Sequence, residues 1–222
     1  MSSLRVVVAD DQDLVRTGLE MVLTSRGVDV VVLAADGREA VSLVQHHSPD
    51  VVLMDIRMPV MDGIAATRAI VSAGSSTRVL VLTTYDLDSY VYDALRAGAV
   101  GFLLKATPPG RLVDAIGTVA AGESLLAPSL TRRLIEEHVR RPPPSDGVPG
   151  PLRVLSGREL EVFGLIAQGL SNDEICRSLV LSEATIKTHV NRILAKLGGL
   201  TRVQLVVLAY ECGLVVPGEA PA

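Results

Sequence analysis

Residues 50–62 read DVVLMDIRMPVMD. In this stretch an apolar run ends in one carboxylate, Asp55, and the turn-forming residues Pro59 and Asp62-Gly63 follow at once. A short apolar run bounded by turn signals is typical of a buried strand, so we expect a strand that delivers Asp55 to a loop. Ligand sites of open α/β sheets lie at that edge. Taken alone, the stretch fits equally well an Asp that merely ends a strand or caps the next helix.

The composition indicates a two-domain protein with aliphatic cores. The chain has 222 residues, 48% of them hydrophobic and 21% charged, with no Trp and only 3% aromatic residues. At roughly 150 residues per domain, two domains are expected. We find no secretory signal and no run of about 18 apolar residues that could span a membrane. The sequence therefore predicts a cytoplasmic protein without a membrane partner.

The net charge of −4 is confined to the first part of the chain. Residues 1–121 carry 10 Lys and Arg against 14 Asp and Glu, whereas residues 122–151 carry 4 against 4 and residues 152–222 carry 7 against 7. Neither domain is basic overall, so binding to nucleic acid would require a local basic face.

Residues 1–121 alternate between apolar runs too short for helices and segments with helical periodicity. Five strands that alternate with five helices predict an α/β fold with a parallel, doubly wound, flavodoxin-like sheet. The near-continuous apolar strands agree, because such a sheet is covered on both faces. We expect the strands at Val6–Ala9, Val28–Leu33, the run ending at Asp55, Val79–Thr83 and Gly101–Leu104, and the third helix over Arg68–Ala73.

Polar residues follow several of these strands: Asp10 and Asp11, Asp55, Thr83, and Lys105. Adjacent carboxylates repel one another, and their oxygen atoms suit a hard divalent cation such as Mg²⁺. Asp55 would then be a nucleophile toward a phosphoryl group, Lys105 would neutralise its charge, and the Thr83 hydroxyl would donate a hydrogen bond to it. Each residue alone could be an ordinary turn or surface residue, but the five together favour a site.

At these positions, residues 4–121 resemble the receiver domain of response regulators. The resemblance rests on the acidic pair, an acceptor Asp 44 positions after it, and a Lys 22 positions after the Thr. It implies that Mg²⁺ is held by Asp11, Asp55 and the backbone carbonyl of Arg57, with Asp10 assisting through water. It also implies that Phe102 is an aromatic switch coupled to Thr83, although an ordinary core position is an open alternative for Phe102. Ala106 replaces the Pro common in the family, so no cis peptide is expected there.

A boundary follows the sheet. Residues 128–141 have the pattern of a connecting helix, and residues 141–151, dense in Pro and Gly, are expected to break all regular structure and to act as a linker. We therefore divide the chain into a first domain over residues 1–122, a connecting helix and linker over 123–151, and a second domain over 152–216.

The second domain has only helical signals. Ser156 and Glu159, and again Ser171 and Glu174, fit the capping box in which hydroxyl and carboxylate satisfy amides at a helix start. Ser182 opens a third helix that Gly198-Gly199 closes. A fourth helix runs over Thr201–Cys212. Two short helices before a longer one suggest a helix-turn-helix.

The third of these helices carries a candidate DNA-binding face. Its apolar residues recur at helical spacing, so that small and polar residues must face outward. Residues 182–202 contain four Lys and Arg against one Glu, and Lys and Asn side chains suit the major groove. By charge alone, a solvated helix face is the favoured interpretation. The inward positions are Ile186, Val190, Ile193, Leu194 and Leu197; the outward ones are Ala184, Lys187, Thr188 and Asn191, flanked by His189, Arg192 and Lys196.

Residues 152–216 resemble the LuxR-type helix-turn-helix, on the motifs LSGRE (residues 155–159), GLSNDEI (169–175) and LSEATIKTHVNRILAKLG (181–198). The loop over residues 199–202 is less polar than is usual in that family, so a DNA contact from it is not expected. The resemblance implies that Lys187, Thr188 and Asn191 face base edges, and that Thr185, Arg192 and Lys196 lie near phosphates.

The whole chain is thus similar to NarL/FixJ-type response regulators. That similarity implies a two-component transcription regulator in which a sensor histidine kinase phosphorylates Asp55. Phosphorylation would control homodimerisation and binding to double-stranded DNA. The pairing surface could lie on the receiver or on the last helix, at Val203, Val206, Val207 and Tyr210.

Two other functional classes remain open from the sequence. A phosphohydrolase with an Asp nucleophile should carry a second acid two residues later, where this chain has Arg57, so we do not expect an enzyme. A binding module that ignores phosphorylation would bind DNA equally well as wild type and as Asp55→Asn.

Overall fold

The computed structural model describes residues 4–83, 88–122 and 148–215. The chain divides into two compact units, Met1–Leu125 and Leu126–Ala222, which we describe separately. The predicted connecting helix over residues 128–141, and the linker up to residue 147, lie outside the described residues. No helix in the described part of the chain is long and apolar enough to cross a membrane.

The first unit is built on a five-stranded, fully parallel sheet in the order β2-β1-β3-β4-β5. Its central strands are buried on both faces, which explains why they are almost continuously apolar in sequence. The predicted α/β fold is confirmed. The strands are β1 Arg5–Ala9, β2 Asp29–Ala34, β3 Val51–Asp55, β4 Arg78–Thr83 and β5 Gly101–Leu104.

Five helices cover the two faces of the sheet. On one face, α1 and α5 lie together over a core that includes Val8, Leu53, Leu82 and Ile116. On the other face, α2, α3 and α4 pack side by side. The helices are α1 Asp13–Thr24, α2 Gly37–His47, α3 Gly63–Ser72, α4 Asp88–Ala97 and α5 Pro109–Ala120.

The start predicted for α3, at Arg68, was wrong. The helix begins five residues earlier, at Gly63, because the Asp62 carboxylate accepts a hydrogen bond from the Ala65 amide and caps it there. Gly63 packs directly against the end of β3: its amide donates to the Ile56 carbonyl, and a Cβ atom at Gly63 would collide with the Asp55 carbonyl oxygen. Only glycine fits this close approach.

The second unit contains only helices among its described residues. It has a 3₁₀ helix over Gly150–Val154 and four α-helices: α6 Gly157–Ala167, α7 Asn172–Leu179, α8 Glu183–Lys196 and α9 Arg202–Glu211. The predicted capping boxes at Ser156 and Ser171 and the predicted cap at Ser182 are present. An additional box joins Thr201 to Gln204 at the start of α9.

One further expectation for this unit needs correction. The Pro-rich stretch does not break regular structure throughout, because Gly150 and Pro151 open the 3₁₀ helix; the fixed φ of Pro suits a first helical turn. The pairing surface stays a prediction, and the α9 side chains named for it are buried in this structure, at 0–5% exposure. Those side chains are Val203, Val206, Val207 and Tyr210.

Gly63→Ala should destabilise the first unit, because the new methyl group must displace the Asp55 backbone. Overpacking of this kind lowers the free energy of unfolding by about 1–3 kcal/mol. Gly117→Ala in α5 is the matched control, since nothing lies within 4 Å of the place its methyl group would take and Ala is the better helix former by about 0.5–1 kcal/mol. Urea unfolding should order the proteins Gly117→Ala, wild type, Gly63→Ala. Equal midpoints for wild type and Gly63→Ala would contradict the close approach.

Candidate functional sites

The polar residues predicted at the strand ends come together at one edge of the sheet. Asp10 directly follows β1, Asp55 ends β3, Thr83 ends β4, and Lys105 directly follows β5. Because β1, β3, β4 and β5 are neighbours in a parallel sheet, their carboxyl ends meet. This edge forms the first candidate site.

Three carboxylates of this edge form a cluster suited to a cation. One oxygen atom each of Asp10, Asp11 and Asp55 lies within 4.8 Å of the others. Asp10 is fully buried, Asp55 is 6% exposed and Asp11 is exposed. An all-oxygen set with one solvent-facing member is typical of sites for hard divalent cations that retain part of their water. The residues present can therefore hold a metal ion.

Lys105 offsets part of this negative charge. Its Nζ donates to Asp55 Oδ2 at 2.9 Å and lies 2.6 Å from Asp10 Oδ2. The contact with Asp10 is a short ion pair, and apart from this lysine no donor among the described residues contacts that buried oxygen. The other oxygen of Asp55, Oδ1, accepts from the Ile56 amide at 2.8 Å.

Burial and ion pairing have opposite effects on the pKa values of Asp55 and Lys105. Burial raises the pKa of Asp55, an effect that the hydrogen bond and charge of Lys105 oppose and the charge of Asp10 reinforces. Burial would lower the pKa of Lys105, but its contacts with Asp10 and Asp55 outweigh burial and raise that pKa above its ordinary value. Lys105 is therefore a permanent cation in the site.

Arg16, which the sequence did not single out, holds the acidic turn in place. Its guanidinium donates to the backbone carbonyl of Asp10 at 2.6 Å and to the Asp13 carboxylate at 2.9 Å, with only 13% of the side chain exposed. The Gln12 amide also donates to Asp10 Oδ1 at 3.0 Å. Hydrogen bonds to both the backbone and the side chain of Asp10 thus fix the turn that carries Asp10 and Asp11.

An open groove leads to the cluster from the β3–α3 loop. It has a volume of about 490 Å³, and Arg57, Pro59 and Tyr90 are among its lining residues, together with Asp11. Val60, at the rim of this loop, has φ +64° and is 70% exposed. A β-branched residue in the left-handed region is strained, so the loop is held by its surroundings.

Thr83 and Phe102 lie on neighbouring strands. Thr83 is 6% exposed, and its backbone carbonyl accepts from the Lys105 amide at 2.8 Å. Phe102 pairs with Val81 and is half-buried, outside the buried core. Residues 84–87, which follow Thr83, lie outside the described residues. The peptide between Lys105 and Ala106 is trans, as are the other described peptides.

The second candidate site is the outer face of α8. Ile186, Val190 and Ile193 are buried on the inner face. On the outer face Lys187, Thr188 and Asn191 are exposed, as are Ala184, Arg192 and Lys196, while Thr185 and His189 are half-buried. The inner and outer faces therefore lie where the periodicity predicts them.

Three of the predicted DNA-contacting side chains on this face make contacts within α8 or its cap. Lys187 pairs with Glu183 at 2.7 Å, the Thr188 hydroxyl donates to the Ala184 carbonyl at 2.8 Å, and the hydroxyls of Thr185 and Ser182 lie 2.8 Å apart. An exposed ion pair such as Lys187–Glu183 is worth about 0.2–1 kcal/mol. Such contacts can be exchanged for contacts to DNA.

Lys196 differs, because its partner is buried. Its Nζ donates to Glu159 Oε2 at 2.6 Å, and the same oxygen accepts from the Ser156 amide at 2.7 Å. Glu159 is 4% exposed. The hydrogen bond from Lys196, followed by that from the Ser156 amide, lowers the pKa of Glu159 from 4.5 to about 2. The sequence identified Glu159 only as a capping residue and gave no sign of this pairing.

The loop before α9 is fixed by Arg202. Its guanidinium donates to the Leu170 carbonyl at 2.6 Å and to Asn172 Oδ1 at 2.9 Å, which ties this loop to the connection between α6 and α7. Burial lowers the pKa of Arg202, although a guanidinium stays protonated near neutral pH. Arg202 therefore has an internal role, consistent with no DNA contact being expected from this loop.

An acidic cluster with a lysine at the edge of a parallel sheet, joined to a helix-turn-helix, defines a class of signal-responsive DNA-binding proteins. Comparison with known proteins agrees: residues 6–117 match the response regulator receiver domain, and residues 153–209 match the bacterial regulatory proteins of the LuxR family. The chain belongs to the two-component response regulators with a LuxR-type DNA-binding domain, which control transcription. Both matched families are regulatory, and no enzyme family is indicated.

Relatives that span nearly the whole chain support this assignment. The uncharacterized transcriptional regulatory protein YxjL of Bacillus subtilis is 41% identical over 96% of this chain and 97% of its own length. The oxygen regulatory protein NreC of Staphylococcus carnosus is 39% identical over 94% of this chain and 97% of its own. Among solved structures, the response regulator ChrA of a heme-sensing two-component system is 38% identical, with a TM-score of 0.52, over 94% of this chain and 97% of ChrA.

Lys196→Met should raise the pKa of Glu159, because it removes the contact that lowers this pKa most. Carboxyl NMR titration should show a midpoint near 2 in the wild type and a higher one in the variant. Since the folded-state pKa lies below the ordinary 4.5, the pair stabilises the second unit above that pH, and the stabilisation is lost as the pH falls from 4.5 toward 2.

Glu174 provides the control for this titration. Its pKa is lowered first by the hydrogen bond from the Ser171 amide, so the change at Lys196 should leave it unmoved. An unchanged Glu159 midpoint in Lys196→Met would mean that the pair does not form in solution.

Proposed function

We propose that Asp55 accepts a phosphoryl group from a sensor histidine kinase, and that phosphorylation sets the affinity of the protein for double-stranded DNA. The observation that supports this most is the placement of a single lysine between Asp55 and Asp10. Such a cation can neutralise a phosphoryl group as readily as it neutralises the carboxylates. The groove lined by Arg57, Tyr90 and Asp11 opens beside the cluster and offers the donor an approach to it.

In the transfer step a carboxylate oxygen of Asp55 attacks phosphorus, the bond to the donor nitrogen breaks, and an acyl phosphate forms on Asp55. The leaving imidazole takes a proton from solvent. Lys105 exchanges its contact with Asp10 for the new phosphoryl oxygens, and the Thr83 hydroxyl donates to them. Phe102, half-buried on the neighbouring strand, then follows Thr83 inward.

The acidic cluster is suited to Mg²⁺. Asp11, Asp55 and the backbone carbonyl of Arg57 would hold the ion, with Asp10 assisting through water. When bound, the ion would supply further neutralisation of the phosphoryl oxygens. Apart from Lys105, the buried Asp10 Oδ2 has no donor among the described residues, which supports a cation at this position.

On DNA, α8 enters the major groove. Lys187, Thr188 and Asn191 read base edges, and Thr185 and Arg192 contact phosphates. Lys196 lies near the phosphates at the far end of the helix. Its pairing with Glu159 distinguishes it from the other cations of this face.

One helix-turn-helix makes few base contacts, so two copies bind half-sites about one helical turn, or 10 bp, apart. Phosphorylation favours the homodimer, and the receiver supplies the pairing surface. The burial of Val206 and its neighbours on α9 supports the receiver over the last helix. Because the DNA of a bacterial transcription regulator lies in the cytoplasm, we propose that the protein acts there.

Asp55→Asn should abolish phosphorylation. Incubation with a small-molecule phosphodonor and Mg²⁺ should add one phosphoryl group to the wild type by intact-mass spectrometry, and chelation of Mg²⁺ should prevent it. Asp62→Asn is the matched control: Asp62 lines the same groove but caps α3, a role that Asn can fill. A phosphoryl group retained by Asp55→Asn, or incorporation insensitive to chelation, would exclude the assignment.

Lys187→Ala and Arg192→Ala should separate base reading from backbone contact. Lys187→Ala should relax discrimination at one base position by about 1–3 kcal/mol, whereas Arg192→Ala should weaken binding uniformly and reduce the salt slope by about 1. Binding to a set of single-base variants of a selected site, at several salt concentrations, measures both effects. If Lys187→Ala loses affinity equally for all the variants, Lys187 does not read bases.

A further inference from the structure

A buried carboxylate joins the first turn of α6 to the last residue of α8. Glu159 Oε2 accepts from Lys196 Nζ at 2.6 Å and from the Ser156 amide at 2.7 Å, and the residue is 4% exposed. A charge removed from water is tolerated only when it is paired and hydrogen-bonded. The geometry of this contact is therefore strongly constrained.

The apolar contact between the same helices is less directional. α6 and α8 pack against each other, and both carry buried aliphatic side chains, such as Ile166 on α6 and Ile193 on α8. Burial of apolar side chains favours contact between the helices, but small tilts and translations of α8 cost little free energy. A short, charged hydrogen bond at one end of α8 restricts both.

Small changes at that end have large effects at the DNA-binding face. Lys187 is nine residues from Lys196, about 13 Å along the helix axis. A tilt of about 10° around the Lys196 end would move Lys187 by about 2 Å, more than side-chain hydrogen bonds to base edges tolerate. Asn191, five residues from Lys196, would move about half as far.

The pairing also changes what Lys196 can contribute as a charge. Its side chain is 41% exposed, but its ammonium already faces a buried carboxylate whose pKa is lowered to about 2 and which is therefore ionised. The two charges cancel. Arg192, exposed on the same helix, faces no such carboxylate among the described contacts and is the better candidate for releasing a counterion from DNA.

We infer that Glu159 is a positioning residue for DNA recognition: through Lys196 it fixes the C-terminal end of α8, and Lys196 supports binding by this placement rather than as an independent phosphate contact. The inference rests on the proposed role of α8 in binding DNA. It goes beyond that role by assigning function to a buried residue on another helix.

Glu159→Gln tests the inference because the two possible roles of Lys196 predict opposite changes in the affinity for specific DNA. The variant keeps an acceptor for the capping box, since Gln serves there as well as Glu, but it removes the charge that holds Lys196. If Lys196 is an independent phosphate contact, freeing it adds a positive charge, tightens binding and steepens the salt dependence. If Glu159 positions α8, affinity for specific DNA falls by roughly tenfold, while affinity for nonspecific DNA does not fall.

The probe is a duplex selected from a random pool by the full-length wild-type protein, with a shuffled duplex as the nonspecific control. Glu174→Gln is the matched variant, because it makes the same change in the capping box of α7, where the carboxylate accepts from Ser171. It should bind both duplexes as the wild type does. Lys196→Arg should restore most of the specific affinity that Lys196→Met loses, and Glu159→Gln/Lys196→Met, which keeps the net charge of the wild type, should lose no more than either single variant.

The outcomes are distinguishable. Specific binding by Glu159→Gln that equals or exceeds that of the wild type overturns the inference. Additive losses in the double variant also overturn it. If Glu159→Gln does not fold, the ratio of specific to nonspecific affinity in Lys196→Met and Lys196→Arg decides: a loss in the first without recovery in the second overturns the inference. Failure of the wild type to select any duplex, or indifference of binding to Asn191→Ala, would instead refute the proposed role of α8.

Discussion

The ammonium group of Lys105 lies between the carboxylates of Asp10 and Asp55, 2.6 Å from one and 2.9 Å from the other, at the carboxyl edge of the sheet. Both carboxylates are almost fully buried. Neighbouring buried anions are stable only when a cation neutralises them, so this site requires either the lysine, a metal ion or both. A phosphoryl group on Asp55, as we propose, would compete for the same lysine and would thereby make the site responsive to phosphorylation.

The surrounding structure keeps this arrangement in place. Arg16 fixes the turn that carries Asp10, and Gly63 allows α3 to start directly against the backbone of Asp55. β5 pairs with β4, which lies next to β3, and this order places Lys105 beside Asp55. Each of these features helps to fix the position of a charged side chain in the cluster.

Much of the fold and of the receiver site could be predicted because the signals are local. The apolar runs predict where the strands end. Parallel pairing brings those ends to one edge of the sheet, so the pattern also predicts that Asp10, Asp55, Thr83 and Lys105 lie there. The helix starts at Ser156, Ser171 and Ser182 follow in the same way, since the capping boxes of the first two and the simple N-cap of the third each lie within four residues. The start of α3 was predicted too late because helical periodicity alone does not reveal the cap that Asp62 provides.

What escaped prediction depends on contacts between distant residues. Lys196 is 37 residues from Glu159, and the arginine at position 16 contacts a carbonyl group, which leaves no trace in side-chain patterning. The apolar residues of α9 match a pairing surface and a core equally well by sequence, and in this structure they are buried. Periodicity shows which side chains share a face, but it does not show what covers that face.

We propose that phosphorylation of Asp55 sets DNA affinity by joining two copies of the protein. The most direct measurement compares binding to a duplex with two half-sites and to one with a single half-site, with and without a beryllofluoride mimic of the phosphoryl group and Mg²⁺. Pairing raises affinity through effective concentration, so the mimic should strengthen binding to the two-site duplex by about 10² or more and leave the single-site duplex nearly unchanged. Asp55→Asn should show no gain on either. An equal gain on the single half-site would contradict the account, as would affinity that is the same with and without the mimic.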